Sequence, residues 1–286
     1  MPTMRRRFRR SYLNPATILT VAAMTVLSLM MAFPFIWMLS ASLKTPATVF
    51  KLPPELWPYE WRIANYREVL FHPTVPLPKF FLNSLKIATL VTMGQLVTCT
   101  LAAYAFARLR FPGRNALFVL MLTSLMVPVQ ITIIPTYILM GKLGLVDTHA
   151  ALIIPSLVSI FGVFLLRQIF MTIPDELEDA ARIDGAGPVR ILWQIMAPLA
   201  GPGLSTLAII TFNGVWNSFF TPLIFINSWD KMTWPLGIAV LRGQYGETSV
   251  SVQMAAISIA VIPTAIVFVV GQRYIIGGIT FTGIKA

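Results

Sequence analysis

Residues 174–198 read PDELEDAARIDGAGPVRILWQIMAP. Five of the eleven acidic residues of the chain stand in this run: Asp175, Glu176, Glu178, Asp179 and Asp184. Long apolar stretches flank it on both sides, so a polar segment here needs water or a partner. Pro174 suits a first helical position, where a missing N–H costs nothing. The acids that follow fall in the first turn or so, where the helix dipole favours anions. Leu177, Ala180, Ala181 and Asp184 are three or four apart and are expected on one face, kept shallow by two alanines. Asp184-Gly185 is expected to stop the helix, because glycine takes the left-handed conformation cheaply. Pro188 restarts a second helix, whose Ile191, Leu192, Ile195 and Met196 form one apolar stripe that Pro198 ends. The pattern predicts a helix–turn–helix, polar on one side, at the end of a membrane span.

The surrounding composition is that of an integral membrane protein. Of 286 residues, 56% are hydrophobic and 12% charged, with a mean hydropathy of +0.75; a soluble domain carries about twice that charged share. The net charge of +11 does not point to nucleic acid, because Arg5, Arg6, Arg7, Arg9 and Arg10 directly precede the first apolar run. That arrangement keeps the N-terminus on the cytoplasmic side. The run itself exceeds the roughly 7–15 residues of a signal-peptide core and is expected to remain as a membrane helix. Cys99, the single cysteine, excludes an internal disulfide and reads as a small core residue within a span.

A spanning helix needs about 20 apolar residues. Six stretches qualify, at about 17–40, 82–107, 116–139, 151–170, 202–226 and 253–276. Both termini and the 174–198 stretch then face the cytoplasm, as does the basic loop holding Arg108, Arg110 and Arg114. The loop at about 41–81 opposes this assignment with five Lys or Arg, although it is longer. Its Trp57, Tyr59 and Trp61 suit an interfacial belt or a docking surface. Pro34 falls near the outer end of the first span. Pro128, Pro135 and Pro155 interrupt the third and fourth, either as kinks in a packed bundle or as broken helices lining a path.

What is missing narrows the function. The sequence holds no G-x-x-x-x-G-K-[ST] phosphate loop, so ATP hydrolysis by this chain is not expected. His72 and His149 fall in separate loops and make no metal cluster with Cys99. The six stretches contain no Asp or Glu, whereas ion-driven carriers use intramembrane carboxylates. Energy must therefore enter from outside the chain. The candidate substrate-path residues are neutral: Gln130, Asn213, Trp216 and Asn217. Their amides and indole suit a hydroxyl-rich solute, or else they hydrogen-bond between helices as packing glue.

The 174–198 stretch resembles the cytoplasmic "EAA" loop of the membrane subunits of ABC importers: Glu-Ala-Ala, three residues, Gly, nine residues, then a nearby proline. Asp179-Ala180-Ala181 stands in the place of Glu-Ala-Ala, Gly185 in that of the glycine and Pro198 in that of the proline, with Glu178 adjacent. Ala103-Tyr104-Ala105-Phe106-Ala107-Arg108, Leu143-Gly144-Leu145-Val146-Asp147-Thr148, Trp216-Asn217, and the tail from Gln272-Arg273-Tyr274 through Gly277-Gly278 to Gly283-Ile284-Lys285 resemble the carbohydrate branch, in particular the maltose G-type permease.

The resemblance implies an all-α type I (MetI-like) permease: six transmembrane helices, with a cytoplasmic coupling helix between spans 4 and 5. It implies a basic tail at 1–16 and one membrane domain at 17–286, with the coupling loop at 171–199. Glu178, Asp179, Ala180, Ala181, Asp184, Gly185 and Ala186 would couple to the ATPase, and the tail from Gly278 to Ala286 would reach the ATPase interface. The implied partners are a second permease, two copies of an ABC ATPase, an extracytoplasmic solute-binding protein and membrane lipid, in a prokaryotic inner membrane. ATP-Mg is used by the ATPase, and no cofactor or metal is bound by this chain. A sugar is the expected solute. A glycerol phosphate, polyol or peptide permease, or an ATP-independent secondary carrier, is the alternative.

Overall fold

The computed structural model describes residues 14–53, 55–245 and 250–281, all of it helix, turn or loop. The arginines at 5–10 and the tail residues Gly283, Ile284 and Lys285 lie outside the described residues. The helices are α1 (Pro15–Ser42), α2 (Ala64–Leu70), α3 (Leu77–Arg108), α4 (Arg114–Thr123), α5 (Val129–Lys142), α6 (His149–Ile153), α7 (Ile160–Thr172), α8 (Asp175–Ile183), α9 (Pro188–Ile191), α10 (Ala197–Leu199), α11 (Gly201–Trp216), α12 (Phe220–Phe225), α13 (Trp234–Tyr245) and α14 (Val250–Phe281).

Four stretches are continuous, long and apolar enough to cross a membrane: Pro15–Ser42, Leu77–Arg108, His149–Thr172 and Val250–Arg273. Two more qualify only as bent pairs, Arg114–Met126 with Val129–Lys142 at 102° and Pro188–Leu199 with Gly201–Trp216 at 80°. The expected six stretches are thus four continuous and two bent. The third breaks because Pro128 has no N–H to donate and holds Val127 in an extended conformation, ψ 115°. Pro34 and Pro135 lie inside their helices, and Pro155 sits in a 3₁₀ turn between α6 and α7. The fifth stretch ends earlier than its hydropathy suggests. Helix α11 stops at Trp216, Asn217 caps it, and the apolar residues beyond form the short α12.

The chain forms two compact units. In the unit of Met1–Val69 with Gln244–Ile259, the loop after α1 is tied to the end of that helix. Asn65 Nδ2 donates to Ser42 O at 2.8 Å and to Lys44 O at 2.9 Å, and the Ser42 and Tyr66 hydroxyls lie 2.7 Å apart. Lys44 is buried; its Nζ donates to Glu55 O and lies 4.5 Å from the centre of the Trp37 ring. Lys51 pairs with Glu55 at 3.1 Å. These two lysines therefore have internal partners, which weakens their weight as a topology signal. Trp57, Tyr59 and Trp61 are exposed.

In the unit of Leu70–Gly243 with Ala260–Ala286, α3 is the central helix and packs on α7 and α11. Small residues permit the close approach that membrane helices use. A Cβ on Gly203 would stand 2.1 Å from Ile169 Cδ1, and one on Gly162 would stand 2.9 Å from Leu207 Cδ1 and 3.0 Å from Cys99 Sγ. Cys99 is buried in this core, beside Ala103, Leu166 and Leu207.

Candidate functional site

The 174–198 stretch folds as a helix, a tight turn and a second helix. Pro174 is the cap rather than the first helical residue, with ψ 138°, and α8 begins at Asp175. Asp175, Glu176 and Glu178 stand in its first turn. Asp184 ends the helix and Gly185 follows at φ +80°. The Gly185 N–H donates to Arg182 O at 3.0 Å and the Ala186 N–H to Ala181 O at 2.9 Å, the two bonds of a Schellman stop. Pro188 opens α9. Ile191, Leu192 and Met196 are buried and Ile195 half-buried, so the apolar stripe forms as expected. It does so through a π-helical turn at Leu192–Met196. Pro198 does not end this helix; it lies within α10, and the bend falls after Ala200.

The inner side of α8 is anchored by charge. Glu178 is only 3% exposed. Its Oε1 accepts from the Tyr104 hydroxyl at 2.8 Å and from Arg182 Nη2 at 2.8 Å. Arg108, the last residue of α3, donates Nη2 to Phe170 O, which also accepts the Ile173 N–H, and to Ile173 O, both at the end of α7. Its Nη1 pairs with Asp175, and its Nε faces Glu178 Oε2 at 3.8 Å without a hydrogen bond. One guanidinium thus joins the ends of two long helices to the start of α8. A buried carboxylate and a buried guanidinium are each costly alone and tolerable together.

The face of α8 differs from the sequence expectation. Ala181 packs inward against the core with Ile191, Leu192 and Phe170, while Leu177, Ala180 and Asp184 point outward. Residues three or four apart share an arc, but Glu178 pulls the arc edge containing Ala181 inward. The outward surface carries Leu177, Ala180 and Ile183, the last 87% exposed, beside Asp179 and Asp184; Ala186 after the turn is half-buried. These exposed apolar residues are bordered by acids, on a short helix that follows the end of α7. Glu178 is not part of that surface. Tyr104 and Arg108, which the sequence reading placed at the exit of the second span without a partner, hold Glu178 and the start of α8.

The candidate substrate-path residues divide. Trp216 is 1% exposed, its Nε1 donating to Ala260 O at 2.9 Å, its ring stacked on Phe212 and edge-on to Phe81. It is packing and offers no ring face to a solute. Asn213, in the last turn of α11, and Asn217, its cap, are exposed and linked by Asn217 Nδ2 donating to Asn213 Oδ1 at 2.8 Å. Thr264 Oγ1 lies 3.5 Å from the same oxygen. Gln130 is exposed at the start of α5, next to the break at Pro128.

Residues 95–280 match the family described as the binding-protein-dependent transport system inner membrane component. The chain belongs to this family. Over 206 residues it is 39% identical to the arabinooligosaccharides transport system permease protein AraQ of Halalkalibacterium halodurans, covering 72% of this chain and 74% of that one. Over 236 residues it is 35% identical to the sn-glycerol-3-phosphate transport system permease protein UgpE of Pectobacterium atrosepticum, covering 81% and 84%. Its fold is that of a chain in a bacterial ABC transporter involved in the import of the acidic polysaccharide alginate, with a TM-score of 0.77 at 24% identity, over 90% of this chain and 95% of that one. The all-helical type I permease fold is borne out, and the chain is a multi-pass inner-membrane transport subunit.

At the end of α3 remote from α8, this permease is stitched by Asp147, which lies at φ 60°. Its carboxylate accepts from the Asn227 N–H at 2.9 Å, the Ser228 N–H at 2.7 Å, the Ser228 hydroxyl and Lys231 Nζ at 3.1 Å. Lys231 O accepts from the His149 ring at 3.0 Å, and Asn83 Nδ2 donates to Asp230 O and Met232 O. The Ser228 hydroxyl first, then the backbone N–H groups, hold the Asp147 carboxyl well below the usual carboxylate range. A depressed folded value means the stitch is complete above the unfolded value of about 4 and is lost only as pH falls through the folded one. Hydrogen exchange at the Asn227 and Ser228 amides is therefore expected to show protection that does not change with opening equilibrium between pH 5 and 8. Asp147→Asn should lower that protection at least tenfold. Loss of protection in the unaltered chain at pH 5 would contradict the assignment.

Proposed function

We propose that this chain is one of two permease subunits in an ATP-driven importer of a neutral sugar or oligosaccharide. It pairs with a second permease, two ABC ATPase subunits and an extracytoplasmic solute-binding protein. Both termini face the cytoplasm. The ATP-Mg belongs to the ATPases, and this chain supplies no catalytic group, cofactor or metal ligand. The observation that carries the reading is the α8 geometry: an outward surface of Leu177, Asp179, Ala180, Ile183 and Asp184, backed by a buried clamp to the ends of α3 and α7.

In this reading the ATPase takes the outward surface of α8 and the turn at Gly185 and Ala186. Closure of the ATPase dimer moves α8. Arg108 and Glu178 pass the movement to α3 and α7, so that the bundle tilts instead of the helix sliding over it. The 3.8 Å separation between Arg108 Nε and Glu178 Oε2 is a contact that docking can close. Asn213, Asn217 and Gln130 face the path as neutral donor–acceptor groups, while Trp216 holds α11 in place.

The names of the relatives divide between a sugar and a phosphate ester. The neutral solute is favoured by the state of Arg167: its Nε donates to Phe106 O and its guanidinium lies 4.1 Å from the Phe118 ring centre, so it serves packing. Proteoliposomes holding the complex purified through this chain, with its binding protein and Mg-ATP, are expected to accumulate labelled arabino-oligosaccharide over sn-glycerol-3-phosphate. Preference for the phosphate ester, or uptake driven by an ion gradient without ATP, would contradict the proposal.

A further inference from the structure

We infer that the loop joining α3 to α4 binds the headgroup of an anionic phospholipid through Arg110 and Arg114. The loop follows Arg108, which is committed to Asp175 and to the end of α7, so it lies at the coupling-helix end of the bundle. From Glu68 to Asp147 the sequence has no acidic residue between. Of the acids of the α8 segment, Asp175 and Glu178 pair with Arg108, and Glu178 and Asp179 with Arg182. Among the described residues neither Arg110 nor Arg114 has a carboxylate within ion-pair distance. Arg110 is exposed; Arg114 is half-buried and braced by Nη1 donating to Leu109 O at 3.2 Å.

Residues 110–116 line an open cleft of about 580 Å³. Phe111, half-buried with its ring 5.9 Å from that of Phe106, ties the loop to α3. The charge of the cleft is uncompensated and its donors are guanidinium forks, which match phosphate oxygens two at a time. Basic residues on the cytoplasmic side of a span meet an anionic lipid surface.

The continuation of α4 distinguishes a lipid from a soluble anion or a protein partner. Leu117 and Leu120, three and six residues after Arg114, are 50% and 67% exposed. At 1.5 Å per residue, Leu120 stands roughly 9 Å farther along the helix than Arg114. Leu117 lies about 60° and Leu120 about 120° around α4 from Arg114, so an amphiphile with its headgroup on the arginines would run its acyl chain obliquely across these two exposed leucines. A nucleotide or free phosphate would leave the leucines unused.

Native mass spectrometry of the detergent-purified complex, with phosphatidylglycerol or phosphatidylcholine added at equal concentration, tests this. The unaltered chain is expected to retain phosphatidylglycerol preferentially. Arg110→Gln with Arg114→Gln should lower that retention at least fivefold and leave phosphatidylcholine unchanged, and Arg110→Lys with Arg114→Lys should fall between. Should the glutamine pair fail to fold, Arg110→Gln alone, at an exposed position, is expected to lower retention at least twofold. Equal retention by the folded variants overturns the inference. So does displacement of phosphatidylglycerol by inorganic phosphate or ATP at matched concentration, which marks a soluble-anion site, or loss of the ATPase subunit with lipid retention intact, which marks a protein contact.

Discussion

Gly185→Val is expected to lower ATP-driven uptake at least tenfold while the complex continues to hydrolyse ATP. Gly185 has φ +80°, and nothing lies within 4 Å of a Cβ placed there. The penalty is therefore conformational: a left-handed backbone costs an L-residue roughly 1–2 kcal/mol, and a β-branched one is least able to bear it. The turn relaxes, the Schellman bonds to Ala181 O and Arg182 O weaken, and the outward surface of α8 loses its fixed angle to α9. Two comparisons isolate the cause. Gly187, two residues on, has an ordinary φ of −76° and equally open surroundings, so Gly187→Ala should change uptake less than twofold. Gly185→Asn should retain most of the activity, because asparagine visits the left-handed region readily. Normal coupling in Gly185→Val would remove the turn from the mechanism.

Arg108→Met should be the most destabilising single change at this end of the bundle. It removes the guanidinium donor from Ile173 O and one of the two donors from Phe170 O, releases Asp175 and leaves Glu178 with Tyr104 and Arg182 alone. The Arg108 side chain is 9% exposed. Removing one partner from a buried charged pair costs about 3–5 kcal/mol. At roughly 2–4 °C per kcal/mol for a chain of this size, the Tm in detergent should fall by on the order of 10 °C. Arg108→Lys keeps the charge but not the fork that reaches carbonyls and carboxylate together, and should recover only part of the loss. A second readout separates coupling from stability. At a temperature where both variants remain folded, ATP consumed per solute imported should rise for Arg108→Met and return towards normal for Arg108→Lys. An unchanged ratio would leave Arg108 as a structural tie and nothing more.

Much of this arrangement was legible in the sequence, where local chemistry dictates it. The stop at Gly185, the restart at Pro188, the stripe of Ile191, Leu192 and Met196, and the interruption at Pro128 all follow from backbone preferences or periodicity. The phase of α8 was not legible. Spacing says that Leu177, Ala180 and Ala181 are neighbours on one arc, but not which edge of the arc meets the core; the partners of Glu178, contributed by α3 some 70 residues earlier, decide that. Hydropathy likewise overran the end of α11, because Phe219, Phe220 and Phe225 are as apolar as a span while Asn217 and Ser218 turn the chain. Trp216 read equally well as path or packing from its residue type; its burial, its ring contact with Phe81 and its bond to Ala260 O come from residues distant in the sequence.

The central claim is that the outward face of α8 is where the ATPase engages. Ala180 is exposed on that face, and Cys99, the chain's only cysteine, is buried. A cysteine introduced by Ala180→Cys in the intact complex, treated with a thiol-to-amine crosslinker, is expected to link this chain to the co-purifying ATPase, with a yield that changes when Mg-ATP is added. Ala181→Cys, turned into the core, should give little product. Linkage of Ala180→Cys to no ATPase subunit, or equal linkage from both positions regardless of nucleotide, would contradict the account.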